Sequence, residues 1–319
     1  MPSRRPGPGI AVCAAALAVL LLAAAHTAAQ SGPTHLNRMI ERLAAGEVVF
    51  GASTTNLSLD NAQALATSGL DYVYVDYEHG PMNFETLRTF LVGMIDKAAA
   101  VSKGSPQPNV TPLARFAPYG REQAEWAAKQ GLDLGLMGVI FPSVETRQQV
   151  LDAVRLMRYP PRPDSPHPEP AGRRGVGARV AQWFWGVPAA EYVRRADVWP
   201  LNPDGDLIVV LLIESAEAVR NIDELLSVPG VGGVLIGPSD LSNSLGVARG
   251  SAETEAAIQT ILRAGLAHDV PCGITAGADQ IARRIEEGFR ILGTGGLPGG
   301  LTASAAAALQ AGREAVGRE

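Results

Sequence analysis

A (β/α)8 barrel is the fold this chain predicts, on three observations. Eight short apolar, β-prone runs alternate with eight segments of helical period. The 319 residues, less an N-terminal leader, leave roughly 290 for one large domain with a full core. No G-x-G-x-x-G follows the first run, which counts against the doubly wound open sheet, the other architecture such alternation allows.

The first thirty residues stand outside that pattern. Arg4 and Arg5 precede an apolar Ala/Leu run, 10–25, and Thr27-Ala28-Ala29 supplies small residues before Gln30. This reads as a secretory signal peptide over 1–29, cut after Ala29, so the mature chain is expected to be exported, to a periplasm or outside the cell. The run is too short and Ala-rich for a retained anchor, and no later stretch is long and apolar enough to span a bilayer. After cleavage no membrane partner is expected. The mature domain is 30–319.

In order, the predicted strands are 48–52, 72–76, 112–116, 136–141, 207–213, 233–236, 271–274 and 290–293. The helices between and after them are 58–68, 83–97, 121–134, 144–157, 216–226, 252–268, 278–287 and 301–316. One segment breaks the rhythm: 159–206, between the fourth and fifth strands, is far longer than an ordinary connection. It opens with prolines, which hold it extended and out of helix. It ends with Trp183-Phe184-Trp185 and a short helix near 189–196. The aromatics favour an ordered excursion that covers the site or meets another subunit.

Composition excludes some functions. The chain carries a net charge of −5 and has no basic stripe with interleaved aromatics, so nucleic acid is not an expected partner. Cys272 is the only cysteine left after the leader, which rules out an intrachain disulfide.

The chemistry concentrates at strand ends. Glu214 closes the fifth run, and Asp240, in Gly237-Pro238-Ser239-Asp240-Leu241-Ser242, closes the sixth. In a parallel barrel both belong to the carboxyl rim, where two hard oxygen ligands suit a divalent cation. The same carboxylates would also serve to cap the helices that follow. The second run ends Asp76-Tyr77-Glu78-His79-Gly80-Pro81, so His79 stands at that rim as a base or as a structural turn residue. Arg115 ends the third run, either to grip an enolate or carboxylate or to pair with Asp76 or Glu78. Gly293-Thr294-Gly295-Gly296 reads as an anion corner or a plain turn after the last strand. The lysines, Lys97, Lys103 and Lys129, all lie away from strand ends, so a Schiff base is not expected and carbanion chemistry would need a metal.

These motifs in this order resemble the HpcH/HpaI aldolase/citrate lyase family, the metal-dependent class II pyruvate aldolases. The resemblance runs from Leu36 to the C-terminus and includes Arg158-Tyr159-Pro160-Pro161 and Gly175-Val176-Gly177. It implies a barrel that oligomerises as a homo-oligomer, commonly by exchanging its last helix. It also implies retro-aldol cleavage of a 4-hydroxy-2-oxo acid into pyruvate, or an analogue, and an aldehyde. Two other outcomes are weighed: an exported 2-oxo-acid-binding protein with little turnover, and an oxaloacetate decarboxylase. By this resemblance Glu214 and Asp240 hold Mg2+ or Mn2+, with Co2+ or Zn2+ as alternatives. His79 is the base, Arg115 steadies the enolate, and Asp133 raises the basicity of the histidine. Ser239 and Asp240 touch the oxo acid. Leu212 stands where family members carry a substrate-binding glutamine, and Tyr77 replaces a glycine, adding bulk at the mouth.

Overall fold

The computed structural model describes residues 34–117 and 125–318. The leader expected at 1–29 and the start of the helix expected at 121–134 lie outside the described residues. Eight parallel strands close into a ring: β1 (Val49–Thr54), β2 (Tyr72–Asp76), β3 (Thr111–Arg115), β4 (Gly138–Phe141), β6 (Leu207–Ile213), β7 (Val231–Ile236), β8 (Cys272–Thr275) and β9 (Ile291–Gly296). Pairing of β4 with β6 and of β9 with β1 completes the circle, so no strand of the ring has an open edge. A two-residue strand, β5 (Val198–Trp199), adds to the start of β6.

Each ring strand matches a predicted run within a few residues. The largest difference is β9, which continues to Gly296, so Gly293 to Gly296 are strand and not a corner after it. Thr294 spends its hydroxyl on the Gly51 carbonyl at 3.1 Å. Alternation along the strands builds two apolar layers. Tyr72, Tyr74, Leu113, Ile140, Ile208, Val210 and Leu212 fill the inside of the barrel, while residues such as Val73, Val75 and Val209 pack outward under the helices.

The closed end of the barrel is plugged by a helix that sequence period does not reveal, Arg38–Ala44. Asn37 caps it by accepting from the Ile40 amide, and Met39, Ile40 and Leu43 enter the inner layer. Fully buried Asp206 holds the segment before this helix, accepting from the Leu36 and Asn37 amides. Beside it, buried Asp71 meets Arg38, Arg42 and Arg318, tying the plug to the chain's last residues.

The final helix, Ala303–Ala315, lies on its own barrel. Gly312 sits so close to the Phe50 ring that a Cβ would stand 2.4 Å from it.

The long excursion joins the helix Arg147–Met157 to β6, so it is an αβ connection and enters at the closed end. It is ordered by Arg158, whose buried guanidinium grips Asp197 through Nε at 2.6 Å and Nη2 at 3.1 Å. The same side chain donates to the carbonyls of Pro170 and His167, both at 2.6 Å. Further along, Trp185 donates to the Gly135 carbonyl at 3.0 Å. The excursion therefore packs against the helix Glu125–Leu134 and does not roof the barrel mouth within the chain.

Candidate active site

Period-two alternation decides which strand-end side chains face the mouth. Asp76 follows inward-facing Tyr74, Arg115 follows Leu113, and Glu214 follows Leu212, so all three sit above the inner layer. Asp76 and Arg115 are partners in the β2–β3 register, which places their side chains edge to edge. Arg115 donates Nε to Asp76 Oδ1 at 3.0 Å and Nη2 to Oδ2 at 2.6 Å, a bidentate grip. Its Nη1 lies 3.0 Å from Glu78 Oε2. Arg115 thus meets both of the acids expected to pair with it. Burial is the largest single influence and works against the guanidinium charge, but the bonds to Asp76 together with the charges of Asp76 and Glu78 and the nearby Tyr74 raise the pKa on balance.

Asp76 also shapes the turn that follows. Its Oδ1 accepts from the amides of Glu78 at 3.1 Å and His79 at 3.3 Å, an Asx-type turn that turns the chain back over the rim. Gly80 completes it, since a Cβ there would stand 2.6 Å from the Asp76 carbonyl oxygen. The result leaves His79 exposed, with its Nε2 3.7 Å from Glu78 Oε2. That Glu78 oxygen is buried and accepts no hydrogen bond. Burial raises the Glu78 carboxyl, an effect that Arg115 and His79 oppose and Asp76 and Asp240 reinforce.

Tyr77 points the other way. It is buried in the outer layer, its ring stacked on Phe116 at 5.7 Å, and its hydroxyl donates to the Asn83 carbonyl. The expected bulk at the mouth is therefore absent: alternation turns residue 77 outward between inward Asp76 and the turn.

Glu214 is the most perturbed acid of the rim. Its Oε1 accepts from both the amide and the hydroxyl of Ser143, at 2.9 and 3.0 Å. Ser143 follows β4 with φ of 54°, a left-handed backbone that aims two donors at one oxygen. The other oxygen, Oε2, lies by Gly237, where an added Cβ would come within 2.9 Å of it. Burial raises the Glu214 pKa to about 7, with Glu78 and Asp240 adding to the rise and the Ser143 bonds opposing it. Ser143 has no signal in the sequence beyond its place after a predicted strand.

Asp240 does not close a strand. Gly237 caps a helix, Pro238–Leu245, whose first turn holds Ser239 and Asp240, both exposed. Proline at the first helical position and an acid in the first turn fit a helix start. Leu212 is buried on the inner wall in register with Leu235. Asp133 is placed elsewhere: in the outer helix Glu125–Leu134, its oxygens bind Lys129 at 2.7 Å and Arg174 at 3.0 Å. These partners, and not His79, are what it touches, because the helix face that carries it packs under the excursion.

Among the described residues no three His, Cys, Asp or Glu side chains close into a metal cage. The acids of the rim are instead linked through their electrostatics, Glu214 with Glu78 and Asp240, and Glu78 with Asp240.

The family model of the HpcH/HpaI aldolase/citrate lyase family matches residues 48–297. Over 251 residues, 78% of this chain and 82% of the relative, the sequence is 32% identical to the 2-keto-3-deoxy-L-rhamnonate aldolase of Escherichia coli (strain K12). The crystal structure of a HpcH/HpaI aldolase/citrate lyase family protein from Burkholderia cenocepacia J2315 matches with a TM-score of 0.67 at 29% identity, covering 88% of this chain and 98% of that one. That of the HpcH/HpaI aldolase from Desulfitobacterium hafniense DCB-2 matches with a TM-score of 0.62 at 28% identity, covering 80% and 89%. With the matched region spanning the whole ring of strands and the acidic rim, the chain belongs to the HpcH/HpaI aldolase/citrate lyase family.

Proposed function

We propose that this protein is a divalent-cation-dependent carbon–carbon lyase that reversibly cleaves a 4-hydroxy-2-oxo acid into pyruvate, or a close analogue, and an aldehyde. The observation that carries the reading is the mutually coupled acids Glu78, Glu214 and Asp240 on the rim that also holds His79 and Arg115. Membership in a family of lyases supports it.

The donor set fits a hard cation. Glu214 keeps Oε2 outside its bonds to Ser143, while Glu78 Oε2 is ion-paired with Arg115. Gly237 leaves open the space beside Glu214 Oε2 that any larger residue would fill. Glu214 and Asp240 would hold Mg2+ or Mn2+, and Co2+ or Zn2+ less well on oxygen ligands alone. When bound, the cation supplies Lewis acidity toward the oxo acid and favours the ionised form of Glu214.

The chain's own groups do the rest. Exposed His79 has its backbone fixed by Asp76 and accepts the proton of the 4-hydroxyl as the carbon–carbon bond breaks. Arg115, locked against Asp76, keeps a fixed positive charge facing the negative charge that develops on the pyruvate half. Ser239, exposed one residue before Asp240, would hydrogen-bond the acid's carboxylate. Leu212 gives the floor of the mouth an apolar surface.

A coupled pyruvate assay over a panel of 4-hydroxy-2-oxo acids, with EDTA or with Mn2+, tests this reading. Cation-dependent pyruvate release supports it. Tight oxo-acid binding without product, or turnover of oxaloacetate alone, would replace it.

A further inference from the structure

At the closed end, on the far side of the barrel from the mouth, a cavity of about 630 Å3 is walled by Arg38, Arg42, Arg290, Arg313, Arg318 and Glu47. Five guanidinium groups thus gather in a chain whose net charge is −5. Counter-charge there is scarce. Arg38, Arg42 and Arg318 all converge on one fully buried carboxylate, Asp71, and Glu47 pairs with Arg42.

We propose that this cavity is a second ligand site that takes a compact polyanion of the phosphate class, a phosphate ester or pyrophosphate. Clustered, half-buried guanidinium groups repel one another, and a bound anion offsets that repulsion. Burial lowers the Arg38 pKa, and Arg42 and Arg318 push it the same way against the pull of Asp71. Donors also remain uncommitted. Among the described residues, Arg38 uses only Nε on Asp71, Arg290 only Nη1 on the Phe289 and Ile285 carbonyls, and Arg313 only Nη2 on the Gly69 carbonyl. Arg313 Nε is buried without a partner. Several forked donors around one hollow match the tetrahedral, multiply charged phosphoryl group better than a single carboxylate. The volume suits a small phosphorylated molecule. Such a ligand would bridge the plug helix, the segment before β9 and the last helix.

The test is calorimetric titration of the full chain with inorganic phosphate, pyrophosphate and a sugar phosphate, in EDTA and at fixed ionic strength. Saturable binding is expected, strongest for whichever source is native. Arg290→Gln/Arg313→Gln is expected to weaken it at least about tenfold. Because Arg313 also holds the Gly69 carbonyl, Arg290→Gln alone serves as the milder variant, expected to weaken binding with an unchanged circular dichroism spectrum. Asp240→Asn, at the mouth, should leave this binding as it is. Heats no larger than those of matched chloride, binding that survives in the double variant, or binding lost in Asp240→Asn would each overturn the proposal.

Discussion

Ser143 donates both its amide and its hydroxyl to the same oxygen of Glu214. One oxygen of the acid is therefore held by the fold while the other faces the space beside Gly237. Ser143→Ala removes one of the two donors and lets the carboxylate swing. Mn2+ binding, read by calorimetry, is expected to weaken about tenfold, the worth of one hydrogen bond to a charged group. Unchanged affinity would mean that the amide alone positions Glu214.

The buried acid also gives stability a pH dependence. Glu214 titrates near 7 in the folded chain against 4.5 as its ordinary value. Its contribution is fully present below pH 4.5, where both states are protonated, and is lost as pH rises through 7. Measured without divalent ions, wild type should lose about 3 kcal/mol relative to Glu214→Gln across that window. Urea denaturation at closely spaced pH values checks it; a constant difference between the two proteins would contradict the assignment.

Asp240→Ala should abolish cation-dependent pyruvate release while leaving the melting temperature of the EDTA-treated protein within a few degrees. The side chain is exposed at a helix start, so its loss is felt by the site far more than by the core. Full turnover in this variant would exclude Asp240 from the chemistry.

Arg158 is the pin of the excursion. Arg158→Ala takes the guanidinium from Asp197, which keeps only the Val198 amide and the Asn202 side chain, and frees the Pro170 and His167 carbonyls; it should cost about 3 kcal/mol, the low end for breaking a buried pair. Limited proteolysis should then cut between residues 159 and 206 before anywhere else. Wild-type resistance in the variant would show that the aromatic packing suffices.

Export remains a proposal from the first thirty residues. N-terminal sequencing of the protein recovered from its host should begin at Gln30; an intact Arg4-Arg5 start would remove the leader from the account.

The ring of strands was legible because each is a short apolar run, and burial on both faces leaves little room for anything else. The acids and Arg115 were legible for the same reason: a charge ending such a run must face the rim or a partner. Other features depend on information that no local pattern carries. The helix Pro238–Leu245 is missing from the predicted elements, because eight residues are too short a stretch to display a helical period. The plug helix escapes notice because its seven residues are too few to display a period. Tyr77 and Asp133 are misplaced by spacing alone, which does not say whether a residue past a strand or on an outer helix turns toward the mouth. Ser143 is invisible, since its role rests on a left-handed backbone that the flanking residues do not announce.

Asp71 and Asp206 gather both extremities of the folded chain at one pole: the approach to the first helix is bound by Asp206, and Arg318 by Asp71. A linker from residue 318 back to 35 would therefore cross only that pole, which makes the chain a candidate for circular permutation with new ends cut into an outer connection. Likewise, an affinity handle joined after residue 318 would anchor the protein to a support base-down, with its rim of acids free to the solution.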